Sequence, residues 1–201
     1  MAIDLKTLLM AARDTVQFPR QGARAVIDMG LPATIGWMAL GLMAVVSAAL
    51  AALMFAAFPT VPVDASPQIL AMEQILANPL QLAVAQGIIL IIGALLIYRI
   101  GRIFGGAGQL ADTVVLLAWL EFILLMLQIL QTAAMVVSPP MSQAIGLLGF
   151  VIFLWLLSNF VAELHGFSSV LTTFMGIVGS VIAVSFAAAV VLALVLGGRM
   201  T

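Results

Sequence analysis

Five long apolar stretches constrain the fold of this chain more than any other feature of its sequence. Each is about as long as the roughly 17–25 residues that a helix needs to cross the hydrocarbon core of a bilayer. The stretches cover approximately residues 33–58, 80–98, 111–137, 142–161 and 167–196. Only 7% of the residues are charged, against about 25% in soluble domains. These few charges cannot cover a water-facing surface. We therefore predict an all-α fold: an integral membrane bundle of five transmembrane helices.

Helix-breaking residues separate these stretches. Three prolines in "FPTVPVDASP" close the first, because proline lacks an N–H and clashes with the preceding turn. Asn78-Pro79 introduces the second, with proline at a helix start. Only "SPPM" divides the third from the fourth, which predicts a tight antiparallel hairpin. Gly197-Gly198 marks the end of the fifth.

The basic residues predict the orientation of the bundle, because cytoplasmic loops of membrane proteins carry an excess of Lys and Arg. Six of the seven precede the first span or follow the second: Lys6, Arg13, Arg20, Arg24, Arg99 and Arg102. We therefore predict a cytoplasmic N-terminus and, with five spans, a periplasmic C-terminus. Four spans would instead move the C-terminal side inward. Arginine outnumbers lysine six to one, which indicates a GC-rich bacterial genome and hence a bacterial inner (cytoplasmic) membrane.

Residues 1–32 are predicted to form a cytoplasmic lead-in to a transmembrane domain at residues 33–201. Apolar residues recur at three- and four-residue intervals on one face of a predicted helix: Leu5, Leu8, Leu9, Ala12 and Val16. Pro19 ends this helix, and the apolar pattern resumes after it. This amphipathic segment either lies in the interface of the inner leaflet or packs on the protein's own cytoplasmic loops.

The stretch "RIGRIFGGAGQLAD" is predicted to be a cytoplasmic loop between the second and third spans. A phosphate-binding P-loop requires a Lys and a Ser or Thr directly after its glycines, whereas Gln109 and Leu110 follow here. A dinucleotide fingerprint requires a preceding strand, which an all-helical chain lacks. The glycines therefore predict a turn, and Arg99 and Arg102 are expected to anchor the second span near lipid headgroups. The net charge of −1 gives no reason to expect a nucleic-acid partner.

Glu121 is the only ionisable residue deep inside a predicted span, about 15 Å from its cytoplasmic start. Such a residue is costly to insert and is a candidate for function. Gln128 and Gln131 fall within about 80° of it around the helix, and Gln86 lies at a comparable depth in the second span. We predict a hydrogen bond between Glu121 and Gln86. The polar stripe either joins the helices to one another or lines a polar cavity or a path for protons or a solute.

Small residues recur at nearly regular helical intervals in two of the spans. The first span carries Ala44, Ala48, Ala52 and Ala56, and the fifth carries Gly176, Ser180, Ala183 and Ala187. Such stripes let helices approach closely, either within the bundle or between the subunits of an oligomer.

The residue types required for catalysis or metal binding are scarce. The chain has no cysteine and a single histidine, His165, which excludes disulfides, thiolate catalysis and most zinc sites. Glu163 and His165 are predicted in the short loop between the fourth and fifth spans, where they either carry solvated charge or contact a partner. No nucleophile–base pair can be assembled from the remaining residues. We therefore predict a non-enzymatic protein with no catalytic residue, no metal and no cofactor.

Two short motifs are similar to those of a known family. "FGGAGQLADTVVLLAWLEF" carries a Gly-Gly-x-Gly turn before the third span, at Gly105, Gly106 and Gly108. "LSNFVAELHGFSSVLTTFMGIV" carries a His-Gly-x-Ser turn that begins at His165. With these motifs and the lead-in "FPRQGARAVIDMGLP", most of the chain resembles the bacterial type of the Yip family of five-span membrane proteins.

The resemblance implies a membrane protein without enzymatic activity that works through protein partners or lipids. Eukaryotic members carry an Asp-Leu-Tyr-Gly-Pro element before the first span, and they are linked to small GTPases of vesicle traffic and to membrane shaping. This chain has "DMGLP" at the comparable place, without the tyrosine, which makes a small-GTPase partner doubtful. The expected partners are membrane lipids and other membrane proteins, or further copies of the chain in a homo-oligomer.

Two further hypotheses come from the residues themselves. A small transporter or channel component would use the polar stripe around Glu121. An accessory subunit of a larger membrane complex would bury one of the small-residue stripes on a partner.

Overall fold

The computed structural model describes residues 4–58, 66–70, 74 and 78–197. Within these ranges the chain forms seven bounded α-helices, residues 67–70 are also helical, and no β-strand occurs. The helices are α1 (Leu5–Gln17), α2 (Pro19–Asp28), α3 (Ala33–Ala57), α4 (Pro79–Ile103), α5 (Leu110–Val137), α6 (Pro139–His165) and α7 (Val170–Gly197). The prediction of an all-α fold is confirmed.

Five of these helices, α3 to α7, are long and apolar enough to cross a membrane. The protein is a multi-pass membrane protein, as predicted, and α1 and α2 together form the lead-in before its first span. Most of the predicted loop between the first two spans lies outside the described residues, as do Gly198 and Arg199.

Local signals set several helix ends. Asn78 caps α4, because its side-chain Oδ1 accepts hydrogen bonds from the backbone N–H groups of Leu80 and Gln81, both at 3.1 Å. Pro79 is the first residue of that helix, where its missing N–H costs nothing. Only Ser138 separates α5 from α6, so these two helices form the predicted tight hairpin.

Two helices extend beyond the predicted spans. α4 continues to residue 103, so Arg99 and Arg102 lie on a helix. α6 continues to residue 165, so Glu163 and His165 lie on its last turn. The predicted loop positions of these four residues are wrong, because charged residues end an apolar span without ending the helix.

Glycine follows both of these helices. Gly105 has a φ of 85° and Gly166 a φ of 74°. A residue with a Cβ pays about 1–2 kcal/mol in this left-handed conformation, so the two turns of the family resemblance contain a glycine where the backbone requires one. The turns also touch, since the N–H of Ala107 donates to the backbone oxygen of His165 at 3.2 Å.

One of the two ends of the bundle contains the lead-in, the last turns of α4 and α6, and the first turns of α3, α5 and α7. We call it the basic end, because six of the seven basic residues of the sequence belong to it. α5 is the central helix and packs against α3, α6, α4 and α2. Burial is concentrated at the basic end, where α5 buries every residue from 113 to 118 and α6 buries most residues from 156 to 165.

The lead-in packs on the bundle. Ala12, Ala23 and Val26 belong to the same buried cluster as the core residues of α5 and α6. The indole Nε1 of Trp119 on α5 donates a hydrogen bond to Oγ1 of Thr15 on α1, at 3.2 Å. Of the two alternatives, contact with the protein itself is therefore observed, both on helices and, through Arg20 and Arg24, at the predicted loop that contains Glu163.

α7 lies at the edge of the bundle and packs against α6. All of its residues from 181 to 190 are exposed. The two small-residue stripes therefore differ: Ala44, Ala48 and Ala52 of α3 are buried inside the bundle, whereas Ala183 and Ala187 of α7 are exposed.

Candidate functional site

The imidazole ring of His165 fills a socket lined by glycines at the basic end. His165 is the last residue of α6 and is only 3% exposed. Gly101 on α4, and Gly106 and Gly108 before α5, surround the ring. A Cβ added to any of the three would lie less than 3.0 Å from an atom of the His165 side chain. These glycines are therefore required for close approach, and we call the arrangement the His165 socket.

Both ring nitrogens of His165 have hydrogen-bond partners. Nδ1 accepts from the backbone N–H of Gly108 at 3.3 Å. The ring proton then lies on Nε2, which donates to the carbonyl oxygen of Ile97 at 3.2 Å. The ring also stacks on Phe167, with 5.5 Å between the centroids. This neutral, fully bonded imidazole joins three segments of the chain and has no nitrogen left for a metal.

Glu163 forms a second contact between distant segments. Its side chain is 9% exposed and binds two arginines of α2. Nε of Arg20 donates to Oε2 at 3.0 Å, and Nε of Arg24 donates to Oε1 at 2.7 Å. Arg20 also donates from Nη2 to the carbonyl oxygen of Phe167 at 2.8 Å. We call this group the Glu163 clamp; it fixes the lead-in to the turn between α6 and α7, and Glu163 is not the solvated charge that the sequence suggests.

Ser47 of α3 is the centre of a polar contact inside the spans. Its hydroxyl donates to Oε1 of Gln128 at 2.7 Å, and its carbonyl oxygen accepts from Nε2 of Gln128 at 3.0 Å. Nε2 of Gln86 donates to the same hydroxyl at 3.3 Å. The predicted hydrogen bond between Glu121 and Gln86 is wrong, because Gln86 bonds to Ser47 instead.

The remaining members of the predicted stripe do not form one continuous path. Glu121 is half-buried on α5, and its carboxylate makes no hydrogen bond to any residue that the structure describes. The side chain of Gln131 lies against Gly146 of α6. Ser142, also on α6, donates to the backbone oxygen of Gln131 at 3.1 Å. The polar residues of α5 thus contact two different helices, with Gln128 toward α3 and Gln131 toward α6.

Three of the predicted loop candidates stay outside these contacts. Arg99, Arg102 and Gly105 are exposed. The predicted contact of the two arginines with lipid headgroups stays a prediction.

Several residues that complete the site lie outside the sequence-based prediction. Arg20 and Arg24 are four residues apart on α2, so they share one helix face; this spacing is a signal for a common acidic partner. Gly101 has no comparable signal, because nothing in its neighbourhood distinguishes it from other glycines in spans. No sequence signal predicts the hydrogen bond between Thr15 and Trp119 either, since 104 residues separate them.

The interior of the bundle at the basic end has little space for a substrate among α4, α5 and α6. A cavity of about 20 Å³ lies among α4, α5 and α6, lined mainly by apolar side chains that include Ile97 and Leu164. Such a volume holds about one water molecule. In the ranges 4–58 and 78–197, no three His, Cys, Asp or Glu side chains come together as metal ligands.

Comparison with known proteins identifies a family for nearly the whole chain. A family model described as the Yip1 domain matches residues 13–196. No curated protein and no solved structure matches the chain. The matched range includes both the glycine turn of the His165 socket and the turn held by the Glu163 clamp.

Proposed function

The chain belongs to the Yip1 domain family, and from that premise we propose that it is a non-enzymatic membrane protein that works by binding other membrane proteins and lipids. The bonding of its polar groups supports this proposal. His165, Glu163 and Ser47 are each bonded within the protein, and they hold helices together. No nucleophile lies beside a general base among the described residues.

The observation that carries the proposal is the exposure of α7. This helix packs against α6, and its residues 181–190 are all exposed. Small residues on its surface, among them Ala183 and Ala187, would let a helix of another protein approach closely. We propose that a helix of a second copy or of another membrane protein lies there.

Site-specific photocrosslinking in the native membrane tests this proposal. A photoreactive residue at the exposed Phe186 should give an adduct of defined mass with a membrane protein, which mass spectrometry identifies. The same residue at Leu120, which is completely buried, is the matched control and should crosslink only within the chain. An adduct with the chain itself would indicate a homo-oligomer, and one with a larger assembly an accessory subunit. Adducts with lipid alone would contradict the proposal.

We propose the inner membrane of a bacterium as the location, with the basic end in the cytoplasm. The arginine distribution supports this orientation. A chain without cysteine makes the test simple: Thr7→Cys should react with an impermeant maleimide only after the membrane is opened, and Ser66→Cys should react from outside. The reverse pattern would contradict the orientation.

A second candidate function, transport of protons or of a solute, is favoured by Glu121. It is a half-buried carboxyl in the middle of a span, and no described residue donates a hydrogen bond to it. Glu121→Gln keeps the size of the side chain and removes its acid. Loss of flux in proteoliposomes with an unchanged fold would support transport, whereas unchanged flux with an unchanged fold would end this candidate.

A further inference from the structure

The exposed side of α1 combines apolar and basic side chains. Lys6, Leu9, Met10 and Arg13 are all exposed, and their spacing places them on one side of the helix. We call these four residues the outer face of α1. Thr15 lies on the opposite side and is buried against the bundle.

Leu9 forms one edge of the outer face, and Asp14 lies just beyond the other edge, so the two edges differ in polarity. At about 100° per residue, Leu9 and Asp14 lie about 140° apart. Thr7 is on the same edge as Asp14, and both are exposed. An apolar edge opposite a polar edge is the pattern of a helix that lies at a boundary between lipid and water.

The contact between Thr15 and Trp119 sets the depth of α1. The 28 residues of α5 measure about 42 Å, and Trp119, nine residues past Leu110, lies about 13.5 Å from the start. The hydrocarbon core is about 30 Å thick, so α5 exceeds it by about 12 Å. Even if all of this excess projected from the basic end, Trp119 would still lie at the edge of the hydrocarbon. Tilting the helix would move it deeper.

Met10 must lie near the same level. It is five residues from Thr15, hence at most about 7.5 Å away along the axis of α1. A headgroup layer is about 5–7 Å thick on each side of a bilayer. Met10, in the outer face of α1, is therefore held within or beside this layer by the fold of the protein.

We propose that α1 is an interfacial helix whose outer face contacts anionic phospholipid in the leaflet at the basic end. Leu9 contacts the upper acyl chains, and Lys6 and Arg13, which lie between Leu9 and the polar edge, extend their stems along this lipid to reach the phosphate groups. Both charges of the outer face are positive. Asp4 borders this surface at the start of the helix, and Asp14 lies on the polar edge, so the centre of the face, with Lys6 and Arg13, complements a negative headgroup. The lead-in would then both pack on the protein and lie in the leaflet interface, which were the two alternatives predicted for it from the sequence.

Spin labelling of the full-length protein tests the depth. The chain contains no cysteine, so Leu9→Cys and Asp14→Cys each accept one nitroxide label. In nanodiscs of equal parts phosphatidylcholine and phosphatidylglycerol, oxygen reports contact with hydrocarbon and a nickel chelate reports contact with water. We expect oxygen collisions to dominate at Leu9 and nickel collisions at Asp14. Nickel collisions at both positions would overturn the proposal.

Charge reversal tests the headgroup. The double variant Lys6→Glu with Arg13→Glu should shift the Leu9 label toward nickel contact in the same nanodiscs, and the shift should shrink in nanodiscs of phosphatidylcholine alone. Lys6→Arg with Arg13→Lys keeps both positive charges and is the matched control, which should leave the label unchanged. An unshifted label in the charge-reversed variant would overturn the contact with anionic lipid.

This inference and the proposed function fail separately. Absence of protein crosslinks from Phe186 would overturn the proposed function while the Leu9 label stayed in lipid. A label in water would overturn the interfacial helix while the crosslinks persisted.

Discussion

The His165 socket predicts that Gly106→Ala destabilises the protein. The added Cβ would lie less than 3.0 Å from the side chain of His165, which cannot move aside without losing its bond to Gly108. Gly106 has no positive φ, so alanine meets no backbone penalty and the cost is steric. Forcing one methyl group into a filled core costs about 1–3 kcal/mol, and we expect the free energy of unfolding to fall by this amount.

Gly101→Ala approaches the same ring from α4. Alanine is about 0.8–1 kcal/mol more favourable than glycine inside a helix, which offsets part of the clash with His165. We therefore expect a net loss of about 0–2 kcal/mol. Gly93→Ala on the same helix is the matched control, because nothing lies within 4 Å of its added Cβ. This variant should gain stability.

A double-mutant cycle isolates the role of the ring. His165→Ala removes the imidazole, which supplies all three atoms nearest to a Cβ added at Gly101. Gly101→Ala should therefore cost almost nothing in that background, and the coupling between the two changes should be about 1–3 kcal/mol. Unfolding in mixed micelles of increasing SDS fraction, followed by circular dichroism, measures all four proteins. An equal cost of Gly101→Ala with and without the imidazole would refute the reasoning, since the ring would then not occupy the space.

Three further predictions test the contacts around the socket with the same unfolding assay or with hydrogen exchange. Glu163→Gln removes the negative charge and one of the two oxygens that accept from Arg20 and Arg24, and it should cost about 1–2 kcal/mol. Arg24→Gln, at a side chain that is 70% exposed, should cost less than Arg20→Gln, and the opposite order would contradict the clamp. Ser47→Ala removes the hydroxyl bonded to two glutamines and should cost about 1 kcal/mol, at about 0.6 kcal/mol per bond; unchanged stability would contradict the network. Trp119→Phe keeps the aromatic packing but removes the donor to α1, so amide exchange in α1 should accelerate, and unchanged exchange would show that the bond does not hold this helix.

The helical architecture could be predicted because its signals are local. The length of an apolar run determines which segments cross the bilayer, and the boundaries at Asn78 and Ser138 depend only on neighbouring residues. The prediction stopped short at residues 98 and 161, whereas the helices continue to Ile103 and His165. Hydropathy marks where a helix leaves the lipid, whereas α4 and α6 end only at the glycine turns that follow them.

Side-chain partners could not be predicted in the same way. Counting residues gives the depth of a side chain along its helix but not the direction in which the neighbouring helices lie. Gln86 and Glu121 have comparable depths, yet Gln86 bonds to Ser47. A lone His165 likewise gives no information about its partners until the turns before α5 and after α6 are brought together by the packing of the whole bundle.

The concentration of buried residues at the basic end has a physical reason. α5 and α6 measure about 40–42 Å, roughly 10 Å more than the hydrocarbon core, so part of each lies outside it. Inside lipid, helices are held by small residues and by hydrogen bonds such as those of Ser47. Where they leave the lipid, water restores the hydrophobic effect, and the lead-in covers their apolar side chains. The Glu163 clamp and the His165 socket lie in this same layer, so releasing the clamp should loosen the socket as well.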